Sequence, residues 1–257
     1  MMARSSLVSD LDLDVTLDAP IGAMTWYGIG GRADMLVSPR TAEALEIFIR
    51  RCRSEEMPVR VLGGGANLLV DDAGVDGVVI RLDHEDFRST AFNAVGDVTA
   101  ARVAAGVDLF RLVQDMSRRG LAGLEMMAGI PGTVGGAVRM NAGGSWGAFS
   151  DALDTITAVD FDGELRSWKA SDLCFQYRRS NLPPCIVTEV ILTLHEADPV
   201  EVRDKVKQIF QHKRASQPMA DHSAGCAFRN PEDSGQSAGR LIDKTGLKGH
   251  SIGGAVV

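Results

Sequence analysis

The sequence predicts an α+β fold with mixed sheets, arranged as two units of similar size and a C-terminal piece. Three observations carry this expectation. Short β-branched runs alternate with amphipathic helical stretches in small units, an Asp-Gly pair separates two strand-like runs late in the chain, and no solenoid-type repeat is present.

Taken in order, residues 41–53 read as a helix. Thr41 can cap it, and Ala44, Leu45, Phe48, Ile49 and Cys52 share one face. A β-branched strand follows at 59–62, then Gly63-Gly64-Gly65, then a second strand-like run at 68–70. Residues 77–82 and 97–107 also read as strands. Residues 108–119 form an amphipathic helix with Leu109, Phe110, Leu112, Val113 and Met116 inward and Gly120 as its stop. Beyond a glycine-dense stretch at 129–147, residues 155–161 and 164–168 make a hairpin about Asp162-Gly163. A strand at 186–195 leads to a helix capped by Asp198 with Pro199 first, its apolar face being Val202, Val206, Ile209 and Phe210. After His212 the chain is richer in Ser, Gly, Asp and Pro, with one short helix near 237–245.

Composition narrows the function classes. The 257 residues carry a net charge of −7, whereas a general nucleic-acid binder needs a basic face to displace counterions. No apolar run approaches the ~20 residues of a membrane span. The first twenty residues lack the charged-then-apolar order of a signal peptide, so the cytoplasm is expected. Cys52, Cys174, Cys185 and Cys226 show no CxxC spacing, and His84, His195, His212, His222 and His250 no metal spacing; no metal site is expected. Glycine is in excess, 28 residues where average usage gives about 18.

Three glycine clusters bear on function. The first, Gly28-Ile29-Gly30-Gly31-Arg32-Ala33, fits GxGxxA in form. A dinucleotide fingerprint needs a helix directly after it, and residues 34–37 read as strand closed by Pro39, so that reading fails. In the second, Gly63-Gly64-Gly65-Ala66-Asn67-Leu68, consecutive glycines can turn several N–H groups toward one anion; a tight turn is the plain alternative. The third is Gly129-Ile130-Pro131-Gly132-Thr133-Val134-Gly135-Gly136-Ala137, continuing to Asn141-Ala142-Gly143. Pro131 suits a helix start, where N–H groups attract phosphate. Two such clusters favour a diphosphate-bearing cofactor.

Residues 25–34 (TWYGIGGRAD), 61–70 (VLGGGANLLV), 129–143 (GIPGTVGGAVRMNAG), 177–180 (YRRS), 214–231 (RASQPMADHSAGCAFRNP) and 237–254 (SAGRLIDKTGLKGHSIGG) resemble, in order, the signature segments of UDP-N-acetylenolpyruvoylglucosamine reductases. The resemblance implies a two-part FAD-binding domain of the p-cresol methylhydroxylase type (residues 1–84 and 85–197), then a partial α/β substrate-binding domain (198–257). It implies FAD along Gly63, Gly64, Gly65, Ala66, Asn67 and Leu68 and along Gly129, Ile130, Pro131, Gly132, Thr133, Gly135, Gly136, Ala137, Asn141, Ala142 and Gly143. NADPH is the implied co-substrate and a UDP-sugar the substrate. The spacing from Tyr177 to Cys226, with no tyrosine between, resembles the family type without a substrate-covering tyrosine loop.

In the family reaction NADPH reduces FAD, hydride then passes to the enolpyruvyl C3, and an acid protonates C2. Charge grows on the adjacent carboxylate, so a fixed cation and a proton donor are needed. By resemblance Arg178 is the cation and Cys226, where relatives carry Ser or Cys, the donor. A thiol with an ordinary pKa of about 8.5 releases its proton more readily than a hydroxyl, provided it stays protonated until needed. Tyr177, Arg229 and Asn230 are implied substrate contacts, with Lys213, Arg214, Gln217 and Ser223 weaker candidates. The family also carries a glutamate C-terminal to Val257 that matches no position here, so FAD binding is expected to survive better than turnover. The competing expectations are another FAD oxidoreductase of the same cofactor fold, such as an alcohol or hydroxy-acid oxidase, and a non-catalytic UDP-sugar-binding module.

Overall fold

The computed structural model describes residues 7–216, 223, 227–231 and 235–257. The first unit is a four-stranded sheet in the order β1-β2-β4-β3, with β1 at Leu13–Ala19, β2 at Ala33–Pro39, β3 at Val59–Val61 and β4 at Val75–Ile80. The strands β2, β4 and β3 run parallel, and β1 closes the edge antiparallel to β2. Helix α1 (Ala42–Ser54) connects β2 to β3, and the Thr41 hydroxyl accepts from Ala44 N at 3.1 Å as the sequence predicts. Leu45, Phe48, Ile49 and Cys52 of α1 are buried in one core with Met35, Val37, Val78 and Ile80. Burial of each large apolar side chain contributes about 1.5–3 kcal/mol. The opposite face of the sheet covers a smaller cluster of Ala19, Ile21, Leu36, Leu62 and Val79, which fixes the chain entering residues 25–34.

The second unit is a six-stranded sheet: β5 (Thr90–Val95), β6 (Val98–Ala104), β7 (Leu121–Ala122), β10 (Leu153–Asp160), β11 (Leu165–Lys169) and β14 (Cys185–Glu196). Its order is β11-β10-β14-β6-β5, with β7 pairing β14. Helix α2 (Leu109–Arg119) is capped by Asp108 and stopped by Gly120 at φ +70. Leu109, Leu112, Val113 and Met116 are buried in the shared core. Helix α3 (Val134–Arg139) follows the third glycine cluster. Two small ribbons complete the unit, β8 (Gly143–Gly144) with β9 (Gly147–Ala148), and β12 (Phe175–Gln176) with β13 (Arg179–Ser180). Helix α4 (Pro199–Ser216) starts where Asp198 Oδ1 accepts from Val200 N, and buries Val202, Val206 and Ile209. Helix α5 (Ala238–Lys244) and the ribbon β15 (Ser251–Ile252) and β16 (Ala255–Val256) end the described chain.

Several expectations change. Residues 68–70 form no strand: no neighbouring edge pairs with them, and Leu69 is 67% exposed. Phe110 points outward, 45% exposed, because α2 is covered only on the side of Leu109, Leu112 and Met116. The strand expected at 97–107 is one half of a hairpin whose other half, β5, the sequence reading missed. Pro131 does not start a helix; Thr133 caps α3 two residues later, and that helix is six residues long.

Candidate cofactor and substrate site

The two later glycine clusters, almost seventy residues apart in sequence, meet in space. A Cβ on Gly64 would sit 2.8 Å from Gly132 Cα, and one on Gly63 2.8 Å from Thr133 Oγ1. Only glycine permits this approach of two backbones. The Gly63–Gly65 cluster, the first of the meeting pair, is backed by residues 24–26, and the cluster at 129–137 is the second of the pair. Gly65, at φ +68, presses on Met24 O, and Trp26 N donates to Gly65 O at 3.0 Å. The second cluster is laced to the end of β6 and the start of α2: Val134 N donates to Val107 O, Gly135 N to Ala105 O and Leu109 N to Gly132 O.

Where the clusters face each other, backbone donors remain. Among the described residues no carbonyl accepts from the N–H groups of Gly63, Gly64, Gly65, Ala66 or Asn67, nor from those of Gly132 or Thr133. Such convergent N–H groups make an anion-binding concavity. A Cβ on Gly132 or Gly144 would meet nothing within 4 Å, so the main chain there borders open space.

Beyond the second cluster lies Arg178, at the tip of the β12–β13 ribbon and in left-handed backbone at φ +59. Its Nη2 donates to Gly143 O at 2.7 Å and its Nη1 to Asn141 O at 3.5 Å. The guanidinium carbon lies 5.2 Å from the centroid of the Tyr177 ring, and Tyr177 is half exposed. Asn141 and Ala142 sit below the ribbon, Asn141 buried with both ends of its amide bonded to protein.

Lys213 is the group this geometry raises in importance. From α4 its Nζ donates to Ala128 O at 2.6 Å and Met126 O at 3.2 Å, gripping the turn that enters the second glycine cluster. Burial, assisted by the nearby Arg178 charge, brings its pKa down to about 8. Eight residues earlier on α4, Lys205 reaches Glu125 at 3.2 Å. Burial alone would raise the Glu125 carboxyl, but the N–H groups of Glu125 and Gly123 together with Lys205 hold it below the usual carboxylate range. Spacing alone could not distinguish Lys213 from the other lysines of α4; its contacts are with carbonyls more than eighty residues away.

Arg229 is exposed, and Asn230 Oδ1 accepts from Ala238 N at the start of α5. Cys226 lies outside the described residues, as does Gln217; Arg214 is exposed and Ser223 half-buried. Among the described residues no three His, Cys, Asp or Glu side chains gather as a metal site, and no helix is long and apolar enough to cross a membrane.

Residues 33–168 match the FAD-binding domain family, and residues 217–257 match the C-terminal domain of UDP-N-acetylenolpyruvoylglucosamine reductase. The reductase of Desulfosudis oleivorans is 40% identical over 95% of this chain and 80% of its own length. The chain belongs to the UDP-N-acetylenolpyruvoylglucosamine reductase family. A Bradyrhizobium reductase is 37% identical over 92% of this chain, and the Thermus caldophilus reductase structure superposes at a TM-score of 0.79 with 41% identity, over 95% of this chain and 84% of that one. A cholesterol oxidase structure, 17% identical at a TM-score of 0.55, shares the fold over 71% of this chain. This family member is therefore an FAD-dependent oxidoreductase, with a p-cresol methylhydroxylase-type FAD domain followed by the reductase C-terminal domain. Its residues fit the cofactor: paired glycine loops with unengaged N–H groups suit a diphosphate, and the open flank at Gly132 and Gly144 admits close approach by a flat ring.

Proposed function

We propose that the enzyme reduces UDP-N-acetylglucosamine enolpyruvate to UDP-N-acetylmuramate in the cytoplasm, with NADPH as reductant, supplying peptidoglycan precursors. The observation that carries this reading is the meeting of two remote glycine loops with Arg178 anchored immediately beyond the second. The N–H groups of residues 63–67, 132 and 133 would hold the cofactor diphosphate, with the main chain of residues 129–137 and 141–143 beside the rest of it. Bound FAD would supply the hydride-transfer chemistry between NADPH and the enolpyruvyl C3.

Arg178 spends two N–H groups on Gly143 O and Asn141 O. Its three remaining donors and permanent charge meet the substrate carboxylate, where negative charge grows as C3 gains hydride. Cys226 holds the proton that passes to C2. Tyr177, Arg229 and Asn230 hold the UDP-sugar, Asn230 through its amide nitrogen because its oxygen is engaged at α5. Residues 1–84 and 85–197 form the two parts of the FAD domain and residues 198–257 belong to the substrate domain.

The purified protein is expected to show an oxidised-flavin spectrum that NADPH bleaches and the UDP-sugar restores, with little response to simple alcohols. Stopped-flow at the flavin band separates the half-reactions. Cys226→Ser retains substantial turnover, whereas Cys226→Ala bleaches normally and stalls on substrate. A colourless protein that binds the UDP-sugar, or an alanine variant with full turnover, overturns the reading.

A further inference from the structure

The segment after the second glycine loop ends in a buried polar node. Asn141 is 5% exposed and sits at φ +38. Its Nδ2 donates to Gln176 O at 3.1 Å, and its Oδ1 accepts from Ser150 N at 3.2 Å. Its main-chain carbonyl accepts from Arg178 Nη1 at 3.5 Å. Gln176 and Arg178 belong to one ribbon, in which Gln176 pairs with Arg179 and the chain reverses through Tyr177 and Arg178. The left-handed backbone of Arg178 is unfavourable for an L-residue and persists where surrounding contacts over-determine it. Asn141 supplies two of those contacts, one on the ribbon backbone and one on the guanidinium. A second brace comes from Asn181, whose Oδ1 accepts from Cys174 N at 2.7 Å across the base of the ribbon.

We infer that Asn141 is a positioning residue for Arg178: its amide fixes the height of the ribbon tip above the second glycine loop, and thereby where the guanidinium meets the substrate. The inference rests on the reading of Arg178 as the enolate-stabilising cation. It assigns the Asn141 side chain to the ribbon rather than to the cofactor, since each end of the amide is bonded within the protein. Gln176 is itself exposed and its bond to Asn141 is part-buried, so without the amide its carbonyl turns toward water and the ribbon moves with it.

Two variants test it. Asn141→Gly accepts the positive φ and deletes the amide. Asn141→Asp keeps the shape and the acceptor for Ser150 N, but sets an oxygen against Gln176 O. In both, compared at saturating FAD, reoxidation by the UDP-sugar slows on the order of 10²-fold more than NADPH bleaching does, the scale of a ~1 Å misplacement of a reacting group. Combined with Arg178→Ala, Asn141→Gly adds no further loss, because the two act as one unit. Should Asn141→Gly fail to fold, Asn141→Asp carries the same comparison. Lost FAD binding, equal slowing of both half-reactions, unchanged reoxidation, or multiplying losses in the double variant overturns the inference. Native turnover in Arg178→Ala alone overturns instead the reading of Arg178 on which it depends.

Discussion

The two glycine loops that meet at the proposed cofactor site are built for different physical reasons. In the first, the glycines answer to protein: Gly63 and Gly64 lie against Thr133 and Gly132, and Gly65 against Met24 and Thr25. In the second, Gly135 packs against Ala105, but Gly132 borders open space, and Gly136 would meet only Thr133 Oγ1 at 3.5 Å, an ordinary contact. The first loop is thus held by backbone packing. The second is held by hydrogen bonds from its flanks and by the Lys213 clamp on the turn before it. Glycines that look alike in sequence answer to a neighbouring backbone in one loop and leave room for a ligand in the other.

The largest expected effect that tests this contrast is Gly65→Ala. The new methyl would stand 2.5 Å from Met24 O and 2.8 Å from Thr25 Cα, on backbone at φ +68. Overpacking and left-handed strain together cost about 3 kcal/mol. A urea melt of the FAD-free protein should show that loss; unchanged stability would mean the first loop is not packing-limited.

A smaller effect concerns the second loop and pH. Lys213 has its pKa brought down to about 8, by burial first and by Arg178 second, from an ordinary 10.5. Between those values the unfolded chain keeps a proton that the fold has released, so unfolding takes up a proton and stability climbs as pH rises through the window. Below about 8 the fold bears the cost of the buried charge. Native protein should therefore gain stability relative to Lys213→Met between pH 7 and pH 10, and paired urea melts showing no such trend would remove Lys213 from the clamp. The first loop holds no titrating contact of this kind among the described residues, so the Gly65→Ala deficit should stay flat over the same range.

The smallest effect is the most diagnostic. Gly136 lies inside α3, where alanine is preferred by about 0.5–1 kcal/mol, and its Cβ has room. Gly136→Ala should raise the stability of the FAD-free protein while weakening FAD binding, since the methyl would occupy the flank proposed for the cofactor. Flavin fluorescence titration alongside a melt reads both. A gain in stability with unchanged FAD affinity would place the cofactor elsewhere.

Much of the scaffold was legible because its signals are local. The stripe of Ala44, Leu45, Phe48, Ile49 and Cys52, the caps Thr41 and Asp108, and the stop at Gly120 each act within a turn or two of the backbone. The readings that failed depended on neighbours. Phe110 has the composition of a core residue but is 45% exposed, and residues 68–70 have strand composition but, among the described residues, no edge to pair with. At the site, the motifs resembling the reductase family marked Arg178, Tyr177 and the glycine clusters. They did not reveal that Asn141 grips the ribbon or that Lys213 grips the loop.

What the sequence by itself determined is most of the longer helices and strands, the places where the backbone is freed by glycine, and the family to which the chain belongs. Periodicity, capping and turn chemistry are short-range and are written in consecutive residues. Tertiary structure alone decided which glycines face protein and which face open space, and which main-chain carbonyls hold Arg178. Those outcomes depend on backbone atoms brought within about 3 Å across gaps of thirty to eighty residues, where hydrogen-bond geometry and steric contact exist only after the chain has folded.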